Sequence, residues 1–267
     1  MSVPSEELLW FFDLGNSSLK GRWSRGITVG KTARVDWHAD NVDQRLQDLI
    51  GQWPVPSRVL VASVVSQQRA DQLRRALRRC QPGRVSWLVS PQRGCGIINA
   101  YRRPERLGID RFLAMVGARI ASHGAPLVLV GCGTAMTLDA VDGDGRQLDG
   151  MIVPSPHLIL RSVRDESTVD ETDPYHFRNE FEAAPSDDCK AMYLGSWAAA
   201  VALVDHFYSR HRIGLGEIDL WLYGGGAPSL KAAIDSSDHV RAQVRADVVW
   251  RGMEEWAASP PNGSGNT

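Results

Sequence analysis

Apolar blocks and alternations divide the first third of the chain into short elements. LLWFFDLG (residues 8–15) is an apolar run closed by an acid and a glycine, the pattern of a buried strand that ends in a turn. SLKGRWS and ITVGKTARV continue with strand-like spacing, a helix is predicted near Asp43 to Trp53, and RVLVASV is a further strand. QQRADQLRRALRRC places Leu73, Ala76, Leu77 and Cys80 on one helical face with arginines between, and VSWLV follows as a short strand. The arginines read as a solvated helix face, since no aromatic residues are interleaved with them.

A second cycle begins after the polar stretch PQRGCGIINAYRRPERLG. DRFLAMVGARIAS has helical spacing, PLVLVGCG is a strand, and TAMTLDAV and RQLDGMIV flank an Asp142–Gly145 turn. Strand, glycine loop and hairpin therefore recur, and FDLGNSSLK set against VGCGTAMTL pairs Gly15 with Gly133, Asn16 with Thr134 and Asp13 with Gly131. Such a repeat predicts an α/β fold of two duplicated lobes, 1–122 and 123–256, each a mixed sheet flanked by helices, with a cleft between them. Beyond Pro154 the pattern predicts a short helix, a polar stretch (164–190) suited to a substrate loop, a long helix around Ala191 to Tyr208, the strand DLWLY, a GGGAPS turn and a helix from Leu230. The composition of residues 257–267 reads as a disordered tail.

Composition narrows the chemistry. The 267 residues carry a net charge of -1, which gives no general attraction to nucleic acid or acidic membranes. No apolar run approaches the roughly 20 residues a membrane span needs, and the acids in MSVPSEELLW do not suit a signal peptide, so a cytoplasmic protein is expected. The 4 cysteines are scattered without a C-x-x-C pair, which argues against a zinc site and against a disulfide framework.

Four segments carry candidate chemistry. At the end of the first strand, Asp13 suits magnesium, directly or through water. Gly15 permits close backbone approach, Asn16, Ser17 and Ser18 offer hydrogen bonds, and Lys20 offers a positive charge to phosphate. The same residues also suit an ordinary hairpin turn. In NAYRRPERLGIDRF, Gly108 precedes a helix whose first turn holds Asp110 and Arg111; Asp110 suits a general base for a hydroxyl, or a helix cap. Gly133 and Thr134 offer a facing phosphate loop, and YGGGA a close approach to a nucleotide. GITVGKT fails the P-loop pattern by one residue between its glycines and reads as structure.

The order DLGNSSLK, NAYRRPERLGIDRF, GCGTAMTLD, GMIVP, YGGGA resembles type III pantothenate kinase, with Tyr101, Pro104, Leu107, Gly108, Asp110 and Arg111 matching the Y-x-x-P-x-x-L-G-x-D-R signature. The resemblance implies the actin, Hsp70 and sugar kinase fold, a homodimer, and ATP-dependent phosphorylation of pantothenate, the first step of coenzyme A synthesis. It further implies that Asp13, Leu14, Gly15, Asn16, Ser17, Ser18, Leu19, Lys20 and Thr134 contact ATP and its Mg2+. Tyr101, Gly108, Ile109 and Arg111 would line the pantothenate pocket, and Asp110 would accept the proton.

Four positions depart from the family pattern. Gly131 stands where an Asp helps bind a monovalent cation, K+ or NH4+. Asp149 and Ser155 replace the outer glycines of G-G-x-I-x-P-G. Asp188 stands where a Thr reaches pantothenate across the dimer. These departures also suit a different expectation, a nucleotide-binding regulator that has kept the fold with weak or no kinase activity.

Overall fold

Seven residues, Leu8–Leu14, form β1, and the apolar run is explained by its place inside a sheet. β2 (Ser18–Arg25) pairs with it antiparallel on one side, and β5 (Arg58–Ser63) pairs with it parallel on the other. A strand with neighbours on both sides and helices over the sheet buries alternate and intervening residues alike. ITVGKTARV splits into two strands, β3 (Thr28–Val29) and β4 (Ala33–Asp36). The break falls at Gly30, whose N–H donates to Trp23 and whose missing Cβ would lie 2.3 Å from the Trp23 indole nitrogen. The P-loop-like segment is thus occupied by strand pairing and tryptophan packing. α1 (Val42–Gly51) precedes β5, and α2 (Gln67–Cys80) leads from it to β6 (Arg84–Trp87), giving the order β3-β2-β1-β5-β6 with β4 also on β2. Trp10, Phe12 and Trp53 pack edge-to-face and stacked in the core of this sheet.

The computed structural model describes residues 6–165, 181, 185, 187–236 and 240–261. They fall into two compact units: residues 6–95, 101–113 and 253–261 in the first, and residues 96–100 with the described part of 114–252 in the second. The short strand β7 (Arg93–Gly94) and a 3-10 turn at Pro104–Arg106 belong to the first unit, and β8 (Ile97–Ile98) to the second. α3 (Ile109–Ala121) gives its opening residues to the first unit and the remainder to the second.

The second unit repeats the layout of the first. β9 (Leu127–Cys132) is fully buried, pairs antiparallel with β10 (Ala135–Val141), and β10 pairs antiparallel with β11 (Gln147–Pro154). α4 (Pro156–Asp165) and the 28-residue α5 (Asp188–Leu215) lead to β12 (Asp219–Tyr223), which lies parallel to β9 as β5 lies parallel to β1. α6 (Ala227–Asp235) returns to the short parallel strand β13 (Gln243–Val244), and α7 (Val248–Ala258) follows. The sheet order is β11-β10-β9-β12-β13. Its core joins Val128, Leu138 and Leu220 from the strands to Trp197, Phe207 and Leu230 from α5 and α6.

Boundaries differ from expectation where tertiary context decides. α5 begins three residues before Ala191 and runs seven beyond Tyr208. α6 starts at Ala227 rather than Leu230, because Pro228 in its first turn has a preset φ that suits a helix start. β13 and α7 have no counterpart among the predicted elements. The chain stays ordered past residue 257: Pro261 is buried, and a Cβ on Gly94 would meet its ring at 2.5 Å. Residues 262–267 of the expected tail lie outside the described residues, as do 166–180, 182–184 and 186 of the expected substrate loop.

Candidate active site

Asp13 and Lys20 are directly opposed in the β1–β2 ladder, and the Gly15 N–H to Ser18 carbonyl bond (3.1 Å) closes the turn between them. Their side chains therefore meet across the hairpin, with Lys20 Nζ 3.6 Å from Asp13 Oδ2. Burial raises the Asp13 pKa from 3.8 to about 6; the Lys20 charge opposes this, and the Asp110 charge adds to it. Leu14 and Leu19 are wholly buried and Ser18 nearly so, so those three anchor the loop, while Asn16 is exposed.

The second motif is built from the 3-10 turn onward. Leu107 is buried, Gly108 turns the chain, and Asp110 and Arg111 open α3. Asp110 Oδ1 accepts the Arg111 N–H at 2.8 Å, and a Cβ on Gly108 would lie 2.6 Å from that same oxygen. Glycine at 108 is thus the condition for the carboxylate to sit where it does. Arg111 is only 3% exposed, and its guanidinium donates to the Tyr101 hydroxyl at 3.0 Å. Burial raises the Asp110 pKa, against the Arg111 N–H, the Arg111 charge and the Lys20 charge. Ile109 is buried and offers its main chain rather than its side chain. Asp13, Lys20 and Asp110 therefore lie within electrostatic reach of one another inside the first unit. Sequence spacing alone does not bring together two motifs that are almost a hundred residues apart.

In the second unit, Thr134 is exposed in the β9–β10 loop, and the buried Ser155 hydroxyl donates to its carbonyl at 2.9 Å. The same hydroxyl accepts the Leu158 N–H at 3.2 Å, so Ser155 fixes both the loop and the first turn of α4. The glycines of YGGGA have unequal tasks. A Cβ on Gly224 or Gly226 would run into the Cys132 carbonyl or sulfur at 2.6 and 2.5 Å, whereas one on Gly225 would meet nothing within 4 Å. Asp149 is bound by Arg210 and by His211 Nε2 at 3.2 Å, both from α5. Asp188 is exposed in the first turn of α5, where an acid complements the helix dipole, and Asp187 caps that helix by accepting the Lys190 N–H at 2.8 Å.

Gly131 lies in a row with Thr137 of β10 and Tyr223 of β12. A Cβ there would lie 2.6 Å from Thr137 Oγ1, 2.7 Å from Tyr223 Cζ and 2.8 Å from its hydroxyl. This row holds no carboxylate, and two neutral hydroxyls fill the space a side chain would need. It does not fit the acid-assisted monovalent cation that the resemblance implies. Asp13, a mostly buried carboxylate beside a loop of donors, does fit magnesium. Among the described residues no group of three or more His, Cys, Asp or Glu side chains is placed to hold a metal.

Sequence reasoning missed the roles of three participants, and read a fourth, Ser155, only as the loss of a glycine. Trp37 and Arg69 donate to carbonyls of the 15–17 loop, Tyr223 fills the space beside Gly131, and Ser155 binds the second loop. The turn residues and glycines that mark a loop carry no trace of donors arriving from distant elements.

Two sheets of one layout, each opening on a strand, a short polar loop and a hairpin, define an actin-like α/β fold. A protein of Campylobacter jejuni described as a conserved putative Baf family transcriptional activator shares it, with a TM-score of 0.59, 17% identity, and coverage of 93% of this chain and 98% of that one. So does MreB5 of Spiroplasma citri bound to AMPPNP, with a TM-score of 0.52, 12% identity, and coverage of 96% and 97%. The chain belongs to the type III pantothenate kinase family, whose model matches residues 9–210. The type III pantothenate kinase of Xanthomonas campestris pv. campestris is 32% identical over 251 residues, 93% of this chain and 96% of that one. That of Dechloromonas aromatica is 40% identical over 155 residues, 57% and 61% of the two chains.

Proposed function

We propose that the chain transfers the γ-phosphate of ATP to the hydroxyl of pantothenate, giving 4′-phosphopantothenate and opening coenzyme A synthesis. The observation that carries this reading is the meeting of Asp13, Lys20 and Asp110 in one unit. Phosphoryl transfer asks for positioning and charge more than for covalent chemistry. Magnesium held by Asp13 would neutralise triphosphate charge, and Lys20 adds a second positive charge at the same loop. The N–H groups of Asn16, Ser17 and Ser18 and the Ser17 hydroxyl would supply hydrogen bonds, Gly15 leaves room for close approach, and Thr134 stands at the position that matches the family's ATP contact in the second loop.

Asp110 accepts the hydroxyl proton as the new oxygen–phosphorus bond forms and the bond to the ADP oxygen breaks. Its raised pKa brings it nearer to neutrality, where a carboxylate is a more effective base. The buried Arg111 charge, oriented by Tyr101, suits the carboxylate end of pantothenate. Gly108 and Ile109 shape the same pocket through their main chain, and Asp188 stands at the position that matches the family's pantothenate-contacting threonine. A cytoplasmic homodimer is the expected setting, and among the described residues no helix is long and apolar enough to cross a membrane.

Purified chain supplied with ATP, Mg2+ and pantothenate should form phosphopantothenate, and Asp110→Asn should lower kcat by about 10²- to 10⁴-fold while nucleotide affinity holds. ATP binding with no transfer, at any K+ or NH4+ concentration, would overturn the kinase reading. Undiminished turnover in Asp110→Asn would overturn the assignment of the base.

A further inference from the structure

Three consecutive carbonyls of the phosphate loop each receive a donor from outside the β1–β2 hairpin. The Trp37 indole N–H donates to Gly15 at 2.7 Å, the Arg69 guanidinium to Asn16 at 2.5 Å, and the Trp37 backbone N–H to Ser17 at 3.1 Å. Trp37 directly follows β4, which is hydrogen-bonded to β2, so sheet pairing brings it to the loop. Arg69 stands in the first turn of α2, the helix that leaves β5, the strand beside β1. Its guanidinium carbon lies 5.7 Å from the centre of the Trp37 ring, within cation–π range. The two donors are thus braced against each other as well as against the loop.

In a planar trans peptide the carbonyl of one residue and the N–H of the next point in opposite directions. Donors that fix the carbonyls of Gly15, Asn16 and Ser17 therefore also aim the N–H groups of Asn16, Ser17 and Ser18 away from Trp37 and Arg69. A loop whose N–H groups are set before the ligand arrives loses less conformational freedom on binding an anion. Arg69 contributes charge as well. Its partners are a neutral carbonyl and an aromatic ring, and among the described residues no carboxylate neutralises it.

We propose that Trp37 and Arg69 are positioning residues for the nucleotide, a two-armed brace that presets the phosphate loop and adds a positive field to it. This rests on the reading of residues 13–20 as the phosphate loop. A merely structural tie would instead lower stability and leave nucleotide affinity, relative to pantothenate affinity, unchanged. Trp37→Phe removes the indole donor and keeps an aromatic ring, and Arg69→Ala removes the guanidinium from a partly exposed site.

The experiment measures the affinity of each variant for a non-hydrolysable ATP analogue by calorimetry, the KM for ATP and for pantothenate, and kcat. Arg69→Ala should raise the analogue Kd and the KM for ATP about tenfold, the share of one charge-assisted hydrogen bond. The KM for pantothenate should stay within about twofold, since that ligand does not use the loop. Arg69→Lys, which keeps the charge but not the planar fork, should recover part of the loss. Wild-type nucleotide affinity in both Arg69→Ala and Trp37→Phe, or an equal loss for both substrates, overturns the brace and leaves the kinase assignment standing. If the unmodified chain fails to bind the analogue, the phosphate-loop reading falls and the brace with it. Should Trp37→Phe not fold, Arg69→Ala decides alone.

Discussion

Adding a single methyl group at position 131 tests the claim that Tyr223 and Thr137 have taken over the space beside the second loop. In Gly131→Ala the new Cβ would lie 2.6 Å from Thr137 Oγ1 and 2.7 Å from Tyr223 Cζ, well inside van der Waals contact. Thr137 is stiff at χ1, and the Tyr223 ring tip can retreat only by giving up its 3.5 Å contact with the Thr137 hydroxyl. Overpacking of this kind costs about 1–3 kcal/mol, against which replacing a strand glycine regains about 0.5–1 kcal/mol of backbone entropy. With each range taken at its middle, a net loss of about 1 kcal/mol is expected, read as a lower urea midpoint at unchanged slope. In a Thr137→Ala, Tyr223→Ala background the clash is gone, and the same substitution should be neutral or stabilising. A double-mutant cycle then gives a coupling of about 1–3 kcal/mol. A penalty below about 0.5 kcal/mol in the unmodified chain, or an equal penalty in both backgrounds, would refute the steric argument. Gly131→Asp adds a carboxylate to the same collision, so potassium dependence is expected only where Tyr223 is also shortened.

Two further outcomes concern the first unit. Gly108→Ala places a methyl 2.6 Å from Asp110 Oδ1 and should push the carboxylate off the Arg111 N–H, lowering kcat roughly 10- to 100-fold while thermal stability shifts little; full turnover would show that Asp110 tolerates displacement. In the chain free of metal and nucleotide, Asp13 has a pKa near 6 instead of 3.8, so the folded state favours its protonated form. The resulting stabilisation is complete below about pH 4 and is lost as the pH rises through about 6. Asp13→Asn lacks that dependence. Its stability relative to the unmodified chain should grow by up to about 3 kcal/mol between pH 4 and pH 8 in chemical unfolding, and a gap independent of pH would refute the assigned burial of the carboxylate.

What was legible in the sequence was local. The apolar run into Asp13, the turn chemistry of residues 15–18 and the glycine before Asp110 each express a backbone requirement within a few residues, and the structure places each as that requirement demands. The repeat of strand, loop and hairpin was visible for the same reason, since β1–β2 and β9–β10 are contiguous hairpins. Contacts made by parallel pairing were not visible. Tyr223 meets Thr137 across 86 residues only because β12 pairs in register with β9, and Arg69 reaches Asn16 across 53 residues only because α2 leaves a neighbouring strand. Ser155 looked like the loss of a family glycine. Its two hydrogen bonds show a gain, a single hydroxyl shared by a loop and a helix start.

The packing of Tyr223 and Thr137 around Gly131 also has a historical side. A lineage that once carried an acid at position 131 and then gave it up for glycine would find the return closed once the phenol had settled into the gap. Reversion would have to pass through a less stable intermediate, or wait for position 223 to change first. In this chain the row therefore resists the return of a side chain at 131 unless position 223 changes with it.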